Sequence, residues 1–209
     1  MNRSYLGIEF ALLFLALPVS LRYLPRKIPP IPILWLAAGL CLLFLLRDAS
    51  FERRVLWNSA PLAANLPSIL ITFAVGAVII GFGTYYFKPG LLFNFLRARP
   101  GLWALVMLLH PALSVYPQGI IYRAFVMHRY QPLFGSQWAM VLGSAVAFSL
   151  MHVVFRNPLA IVLTLIGGVL FAWRYQTTGS LIVSCFEHSL YGCFLFTIGL
   201  GRYFYARAI

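Results

Sequence analysis

Long apolar segments alternate with short polar ones along the whole chain. A membrane-spanning helix needs about 20 predominantly apolar residues, and seven segments approach or exceed this length. They cover residues 5–21, 31–46, 66–87, 101–126, 137–155, 158–173 and 180–200. The pattern predicts an all-α, polytopic transmembrane helical bundle of about seven helices (six to eight), since the short sixth segment could also be a partly buried helix. We expect residues 1–209 to form a single integral membrane domain.

Two features of the connecting and apolar segments are distinctive. Residues 88–100 mix leucine and phenylalanine with basic residues, which is typical of a helix lying in the membrane interface. Pro111 and Pro117 fall inside the fourth apolar segment, where each proline frees a backbone carbonyl. We expect neighbouring groups or a cavity to satisfy these carbonyls, because the hydrocarbon core offers no water to do so.

Composition and charge also indicate a membrane protein. Apolar residue types make up 62% of the chain and charged types 10%, whereas an ordinary soluble domain has roughly 45–50% and 25%. These values exclude a typical soluble protein, a disordered chain and a coiled coil. The formal net charge is +12, but basic residues such as Arg53, Arg54, Arg97 and Arg99 stand singly or in pairs between apolar segments. This placement favours contact with membrane lipids, through their anionic headgroups, over nucleic-acid binding.

Polar and ionisable residues at membrane depth are concentrated in the second half of the chain. Such groups are costly in a bilayer and often mark a functional site, so we expect a site between about residues 110 and 195. His110 precedes Pro111, and we interpret it as a buried histidine whose hydrogen bonds are satisfied. The full set is His110, Gln118, Arg123, His152, Glu187 and His188.

Three short motifs follow one another in this region. Residues 114–125 read SVYPQGIIYRAF, residues 148–152 read FSLMH, and residues 178–181 read TGSL, with His188 seven residues later. In this order they resemble the CPBP family of intramembrane endopeptidases, also called the Abi or CAAX-protease-like family. The family pattern is Glu-Glu-x-x-x-Arg, then Phe-x-x-x-His, then a second histidine that usually has Asn or Asp four residues later. The resemblance covers about residues 100–200, which would form a CPBP-like catalytic core.

The resemblance implies an endopeptidase that cleaves peptide bonds in or beside the membrane, for example in C-terminal tails or sorting signals of membrane-anchored proteins. In the mechanism proposed for the family, a motif-one glutamate and the motif-two histidine activate a water molecule. The second histidine and an amide side chain stabilise the oxyanion. By this resemblance His152 would share in activating water, and His188 would stabilise the oxyanion. Arg123 would orient the acid, with Gln118 as a polar neighbour.

The sequence departs from the family at the catalytic acid. The Glu-Glu pair falls on Gln118 and Gly119. One branch of the family reads Pro-Gln-Glu, so the missing glutamate belongs at position 119, where glycine cannot act as a base. The third motif departs as well, because Gly192 stands where the amide residue usually is. We therefore expect an inactive or impaired protease, either a natural inactive relative or an engineered variant.

Three alternatives remain open. Glu187 is the only carboxylate in the second half of the chain and could replace the missing acid, although we expect it to be a partner of Arg123 or of a histidine. Cys185 and His188 are three residues apart on one helix face and could form a thiol–imidazole pair. A non-catalytic membrane protein that binds a substrate-like helix or partner would also fit the pattern.

The expected ligands and location follow from the same reasoning. His152, His188 and Glu187 could supply three zinc ligands, but the chain has neither a His-Glu-x-x-His helix nor a cysteine pair at zinc spacing. We therefore expect no metal or other cofactor. The expected partners are a membrane-anchored protein or peptide substrate and membrane lipids. We expect the protein in the cytoplasmic membrane of a prokaryote.

Overall fold

The protein is an all-helical bundle. The structure is a computed structural model that describes residues 2–23 and 30–204, and this part of the chain contains no strand. Among the described residues, six helices are long and apolar enough to cross a membrane, and a shorter apolar helix follows them. The predicted polytopic bundle is thus confirmed, and the protein is an integral membrane protein. The helices are α1 (Arg3–Leu21), α2 (Pro30–Arg47), α3 (Leu62–Phe87), α4 (Asn94–Ala98), α5 (Pro100–Arg129), α6 (Gln137–Phe155), α7 (Pro158–Thr178) and α8 (Leu181–Thr197).

Several sequence predictions need correction, among them the start of α3, which lies at Leu62 and not at residue 66. The sixth apolar segment is not a short helix, because α7 continues past Trp173 to Thr178 and has 21 residues. The seventh segment is shorter than predicted, since α8 has 17 residues. Residues 88–100 do not form one interfacial helix. They form a 3₁₀ turn and the five-residue α4, separated by Phe93, whose φ of 57° interrupts the helical path.

The TGSL motif forms the tight turn between α7 and α8. Gly179 ends α7 in the left-handed conformation with φ 57°, and its N–H donates to the carbonyl of Tyr175 at 2.9 Å. Ser180 then caps α8, because its hydroxyl accepts from the N–H of Val183 at 3.1 Å. The same hydroxyl donates to the carbonyl of Asn58. The motif therefore joins two antiparallel helices and fixes them to the loop before α3.

Polar contacts at the two ends of the bundle show how the helices alternate in direction. At one end, Arg129 binds Glu9 at 2.6 Å, and Asp48 lies 3.0 Å from His128. At the other end, Trp103 donates to the hydroxyl of Thr197 at 3.1 Å. Successive long helices therefore run in opposite directions, as expected for a chain that crosses the bilayer repeatedly.

The core centres on α5, which packs against α1, α2, α6 and α8, while α3 presents apolar side chains to the surroundings. On α3, Val78 is 70% exposed and Phe82 is 68% exposed, as expected for a surface in contact with lipid. Between α6 and α7, Gly168 lies so close to Ala145 that an added Cβ would be 3.0 Å from the Ala145 Cα. Small residues thus allow close helix packing here, as they do in other membrane bundles.

Helix α5 carries most of the polar residues and is the least regular of the long helices. It contains two π-helical turns, Pro111–Val115 and Ile120–Phe125, and such turns often occur at functional sites. Pro117 frees the carbonyl of Leu113, which accepts from the indole of Trp35 at 3.1 Å. Pro111 frees the carbonyl of Met107, which accepts a weak bond from the Cys193 thiol at 3.8 Å. Neighbouring side chains thus contact both carbonyls, through a full hydrogen bond at Leu113 and a weak one at Met107.

Candidate active site

A large cavity lies between the helices and opens to the surroundings, since lining residues such as Ile8, Leu12 and Leu40 are exposed. Its volume is about 1210 Å³, and its lining is mostly apolar side chains from α1, α2, α5, α6, α7 and α8, with Ile80 of α3. A mostly apolar cavity with a few polar groups is the usual form of a ligand-binding site. The polar or ionisable side chains that line it include Glu9, Arg129, His110, Ser114, Gln118, Thr164, His152 and His188. Gln118, His152 and His188, which the sequence predicted as site residues, are thus brought to one cavity.

His152 lies where α6 changes into a 3₁₀ turn. Its Nδ1 is 2.8 Å from the carbonyl oxygen of Phe148. A carbonyl can only accept a hydrogen bond, so Nδ1 carries the proton and Nε2 of the neutral ring carries the lone pair. His152 therefore has a nitrogen that can accept a proton from a water molecule.

His188 lies on α8 and is held by aromatic rings. It stacks on Phe171 with ring centroids 4.4 Å apart, and it meets the ring of Phe148 edge-on at 5.4 Å. Phe148 also contacts the ring of His152 at 4.8 Å. The phenylalanine of the FSLMH motif thus packs against both histidines and fixes their relative position.

Gln118 and Gly119 face different neighbours. Gln118 lines the cavity, and its amide donates to the hydroxyl of Ser114 at 2.8 Å. Gly119 is buried against α8 and is not among the described residues that line the cavity. A Cβ at Gly119 would lie 2.6 Å from Sγ of Cys185 and 3.0 Å from Leu181. Gln118 therefore shares the cavity lining with the two histidines, and position 119 as the place of the catalytic acid stays a prediction.

Arg123 is 1% exposed and lies between aromatic rings. Its guanidinium carbon is 4.4 Å from the centre of the Phe148 ring and 5.4 Å from that of Phe171. None of its three guanidinium nitrogens has a hydrogen-bond partner in residues 2–23 and 30–204. The cation is thus stabilised by ring faces. The expected pairing of Arg123 with Glu187 is wrong.

Glu187 is fully buried and has a different partner, Arg174 near the end of α7. Arg174 binds both carboxylate oxygens, at 2.8 and 3.1 Å, and Thr72 donates to the carboxylate at 3.1 Å. Burial next to a cation explains this arrangement, because an unpaired carboxylate inside the bundle would be costly. Sequence reasoning missed Arg174, although the tight turn at Gly179 places the end of α7 beside the start of α8.

The proposed thiol–imidazole pair is not formed. Sγ of Cys185 lies 4.0 Å from the carbonyl of Val115 and faces Gly119. His188 contacts Phe171 and Phe148 instead, and no hydrogen bond joins the two side chains in the described part of the chain. Cys185 and His188 are three residues apart and lie on neighbouring positions of α8. The packing of α5 against α8 nevertheless directs the thiol and the imidazole to different neighbours.

His110 differs from its predicted state. Its Nε2 is buried and has no hydrogen-bond partner among the described residues, so the interpretation as a satisfied histidine is wrong. The ring lines the cavity and packs edge-on against Phe196 with centroids 5.2 Å apart. It also fills the space beside Gly192, where an added Cβ would overlap it.

The proposed zinc ligands do not converge. Within the described ranges, no three His, Cys, Asp or Glu side chains lie close enough to hold a metal ion. His152 and His188 both line the cavity, but the third candidate, Glu187, is bound by Arg174. The side chains present therefore do not form a set of three ligands.

The fold and the cavity define a polytopic membrane protein whose helices enclose a mostly apolar cavity with a few polar side chains. Residues 112–194 match the family described as type II CAAX prenyl endopeptidase Rce1-like, and this match confirms the resemblance to the CPBP endopeptidases. The matched stretch contains Gln118, Arg123, His152 and His188. No curated protein and no solved structure matches the chain.

Proposed function

We propose that the protein binds the C-terminal tail of a membrane-anchored protein in this cavity, as a CPBP-type intramembrane endopeptidase would, and that its hydrolytic activity is impaired. The observation that carries the proposal is the side chain at position 118. An amide lines the cavity together with His152 and His188, at one of the two positions where the family pattern has glutamate. A glutamine amide is not basic and cannot accept the proton of an attacking water molecule.

The other carboxylates of the chain do not compensate. The chain has four acidic residues, Glu9, Asp48, Glu52 and Glu187. Glu9 lines the cavity, but its carboxylate is bound by Arg129 and by the hydroxyl of Tyr130 at 2.6 Å. Asp48 accepts from Ser50 at the end of the bundle, and Glu52 is exposed. With Glu187 bound by Arg174, no described carboxylate is placed to act with the two histidines.

The remaining groups still support binding and slow hydrolysis. His152 offers a basic Nε2, and His188, which lines the same cavity, would donate a hydrogen bond to negative charge that develops on a substrate carbonyl. The mostly apolar walls accommodate a lipidated or hydrophobic tail. Loss of the carboxylate alone would reduce the rate, since general acid–base catalysis contributes about 10²–10⁴-fold.

The test restores a carboxylate at each candidate position. The parent protein, Gln118→Glu and Gly119→Glu would be reconstituted in vesicles with a farnesylated peptide that ends in a CAAX sequence and carries a C-terminal label. We expect Gln118→Glu to raise label release at least about 100-fold over the parent, whereas Gly119→Glu should disturb the packing against Cys185. Gln118→Met is the matched control, because it has a similar size and no charge.

Further variants separate the alternatives. Adding His152→Ala to Gln118→Glu should abolish the gained activity, and adding Glu187→Gln should leave the rate per folded molecule unchanged. If Gly119→Glu gains activity and Gln118→Glu does not, position 119 is the place of the catalytic acid. If the parent releases the label rapidly and Glu187→Gln abolishes this release, Glu187 is the catalytic acid. If the parent does not bind the labelled peptide, the proposal is wrong.

A further inference from the structure

Arg129 is a cation of the cavity lining that the proposed chemistry does not use. It ends α5, and its side chain is 13% exposed. Glu9 of α1 binds one edge of the guanidinium, because Nε donates to one carboxylate oxygen at 2.6 Å and Nη2 donates to the other at 2.8 Å. The guanidinium carbon also lies 4.6 Å from the centre of the Phe44 ring on α2. Two other helices thus hold this cation in a fixed orientation.

A second edge of the Arg129 guanidinium is free and accessible. Nη1 forms no hydrogen bond within the described residues, and unlike His110 Nε2 it is not fully buried. Arg129 lines the large cavity and also a smaller pocket of about 230 Å³ at the end of the bundle. Phe44 and Phe125 line both spaces as well, so the two spaces meet at these three side chains. A ligand that extends through the cavity to this junction therefore meets an unpaired cationic donor.

A carboxylate is the ligand that matches this edge. Nη1 and the second N–H of Nη2 form a planar pair of donors, which fits the two oxygens of a carboxylate. A carboxylate in a mostly apolar cavity is costly unless a cation pairs with it, and a cation that is already held in place loses little entropy on binding. Glu9 leaves the site cationic in part, because the hydroxyl of Tyr130 also donates to its carboxylate at 2.6 Å.

The distance along α5 fits a short peptide tail. Gln118 and Arg129 both line the cavity and are eleven residues apart, which corresponds to about 16 Å at the usual helical rise. An extended peptide covers this distance in about five residues. A tail whose last carboxylate lies at Arg129 would therefore pass Gln118 with the residues just before its end.

We propose that Arg129 binds the free C-terminal carboxylate of the peptide and thereby selects chains that end inside the cavity. This inference rests on the proposed function and makes Arg129 a residue that determines specificity. Arg22 is the other described arginine of the cavity lining. It lies at the opposite end of the bundle, and its side chain forms no hydrogen bond to any described residue. Arg22 therefore lacks the partners that orient Arg129.

The first experiment compares a peptide acid with the corresponding amide. Two farnesylated CAAX peptides with the same N-terminal fluorophore, one ending in a carboxylate and one in a carboxamide, would be titrated into the protein in nanodiscs. We expect the parent to bind the acid about tenfold more tightly, since hydrogen bonds between charged groups are the stronger ones. The double variant Glu9→Gln/Arg129→Gln should lose this preference, and it leaves no unpaired carboxylate behind. Arg22→Gln is the matched control, because it removes the same charge from the other end of the cavity and should keep the preference.

A second variant tests for a merely structural ion pair. Glu9→Gln keeps Arg129 and removes its counter-charge, so the preference for the acid should rise above that of the parent. A pair that only holds α1 against α5 would change the affinities for acid and amide by the same factor in both variants. That result would overturn the inference.

The remaining outcomes separate this inference from the proposed function. If the parent binds acid and amide equally well, the inference is wrong while the proposed function stands. If Arg22→Gln removes the preference and the double variant keeps it, the carboxylate lies at the opposite end, and the inference is wrong as well. If the parent shows no preference and the double variant loses co-purified phosphatidylglycerol, Arg129 binds a lipid phosphate instead. If the parent binds neither peptide, both the proposed function and the inference fall.

Discussion

At the scale of single residues, Gly119 packs tightly against Cys185, whereas Gln118 lines the cavity. A Cβ at position 119 would lie 2.6 Å from the cysteine sulfur, and both residues are buried. We expect Gly119→Ala to lower the free energy of unfolding by about 1–3 kcal/mol, as overpacking usually does. In the double variant, Cys185→Ala should recover much of this loss, since the effects of substitutions at two contacting residues on the free energy of unfolding are not additive.

Thermal unfolding in detergent of the parent, both single variants and the double variant would measure this coupling. Gly90→Ala is the control, because an added Cβ there has nothing within 4 Å. If Gly119→Ala is as stable as the parent, the packing of α5 on α8 differs from that described. Position 119 would then have room for a glutamate.

The identity of the site residues could be predicted from the sequence better than their pairing. Polar residues in apolar segments are conspicuous, so the sequence singles out Gln118, His152 and His188, and all three line the cavity. The rotation of α5 could not be predicted, because it depends on two π-helical turns and on contacts with α8. The pairing of Glu187 with Arg174 was missed for a related reason, since it depends on which faces of α7 and α8 meet.

At the scale of helices, the turn at Gly179 and Ser180 holds α7, α8 and the loop before α3 together. Ser180→Ala should cost about 1–2 kcal/mol, because it removes the cap of α8 as well as the bond to Asn58. Ser136→Ala is the matched control, since Ser136 caps α6 through the N–H of Ala139 at 3.2 Å. The two variants would be compared by chemical or thermal unfolding. Equal losses would mean that the Asn58 contact contributes nothing.

The sequence predicts the existence of these helices more reliably than their ends. Apolar length marks a span, and each predicted segment coincides with a helix of the bundle. The ends depend on capping and on polar residues that can continue a helix. Helix α7 therefore extends through Arg174 and stops only at Gly179, whose left-handed conformation ends it. A window that counts apolar residues stops too early, at Trp173.

At the scale of the whole molecule, the contacts at the two ends of the bundle define which loops share a side of the membrane. The bond between Ser180 and Asn58 and the pair formed by His128 and Asp48 place three loops at one end. Arg156 donates to the carbonyl of Arg22 at 2.6 Å and marks the opposite end. The only choice that then remains is which end of the bundle faces which side of the membrane.

Single cysteines placed in exposed loops test this arrangement. We expect Glu52→Cys and Gly135→Cys to react with a membrane-impermeant maleimide from one side of sealed vesicles, and Gly90→Cys to react only from the other side. The reason is that α3 separates residues 52 and 90, whereas α3 and α5 together return residue 135 to the first side. All three positions are exposed, and the parent protein gives the background from its own cysteines. Labelling of residues 52 and 90 from the same side would mean that α3 does not cross the bilayer. The bundle would then not span the membrane as described, and the cavity could not lie within the bilayer.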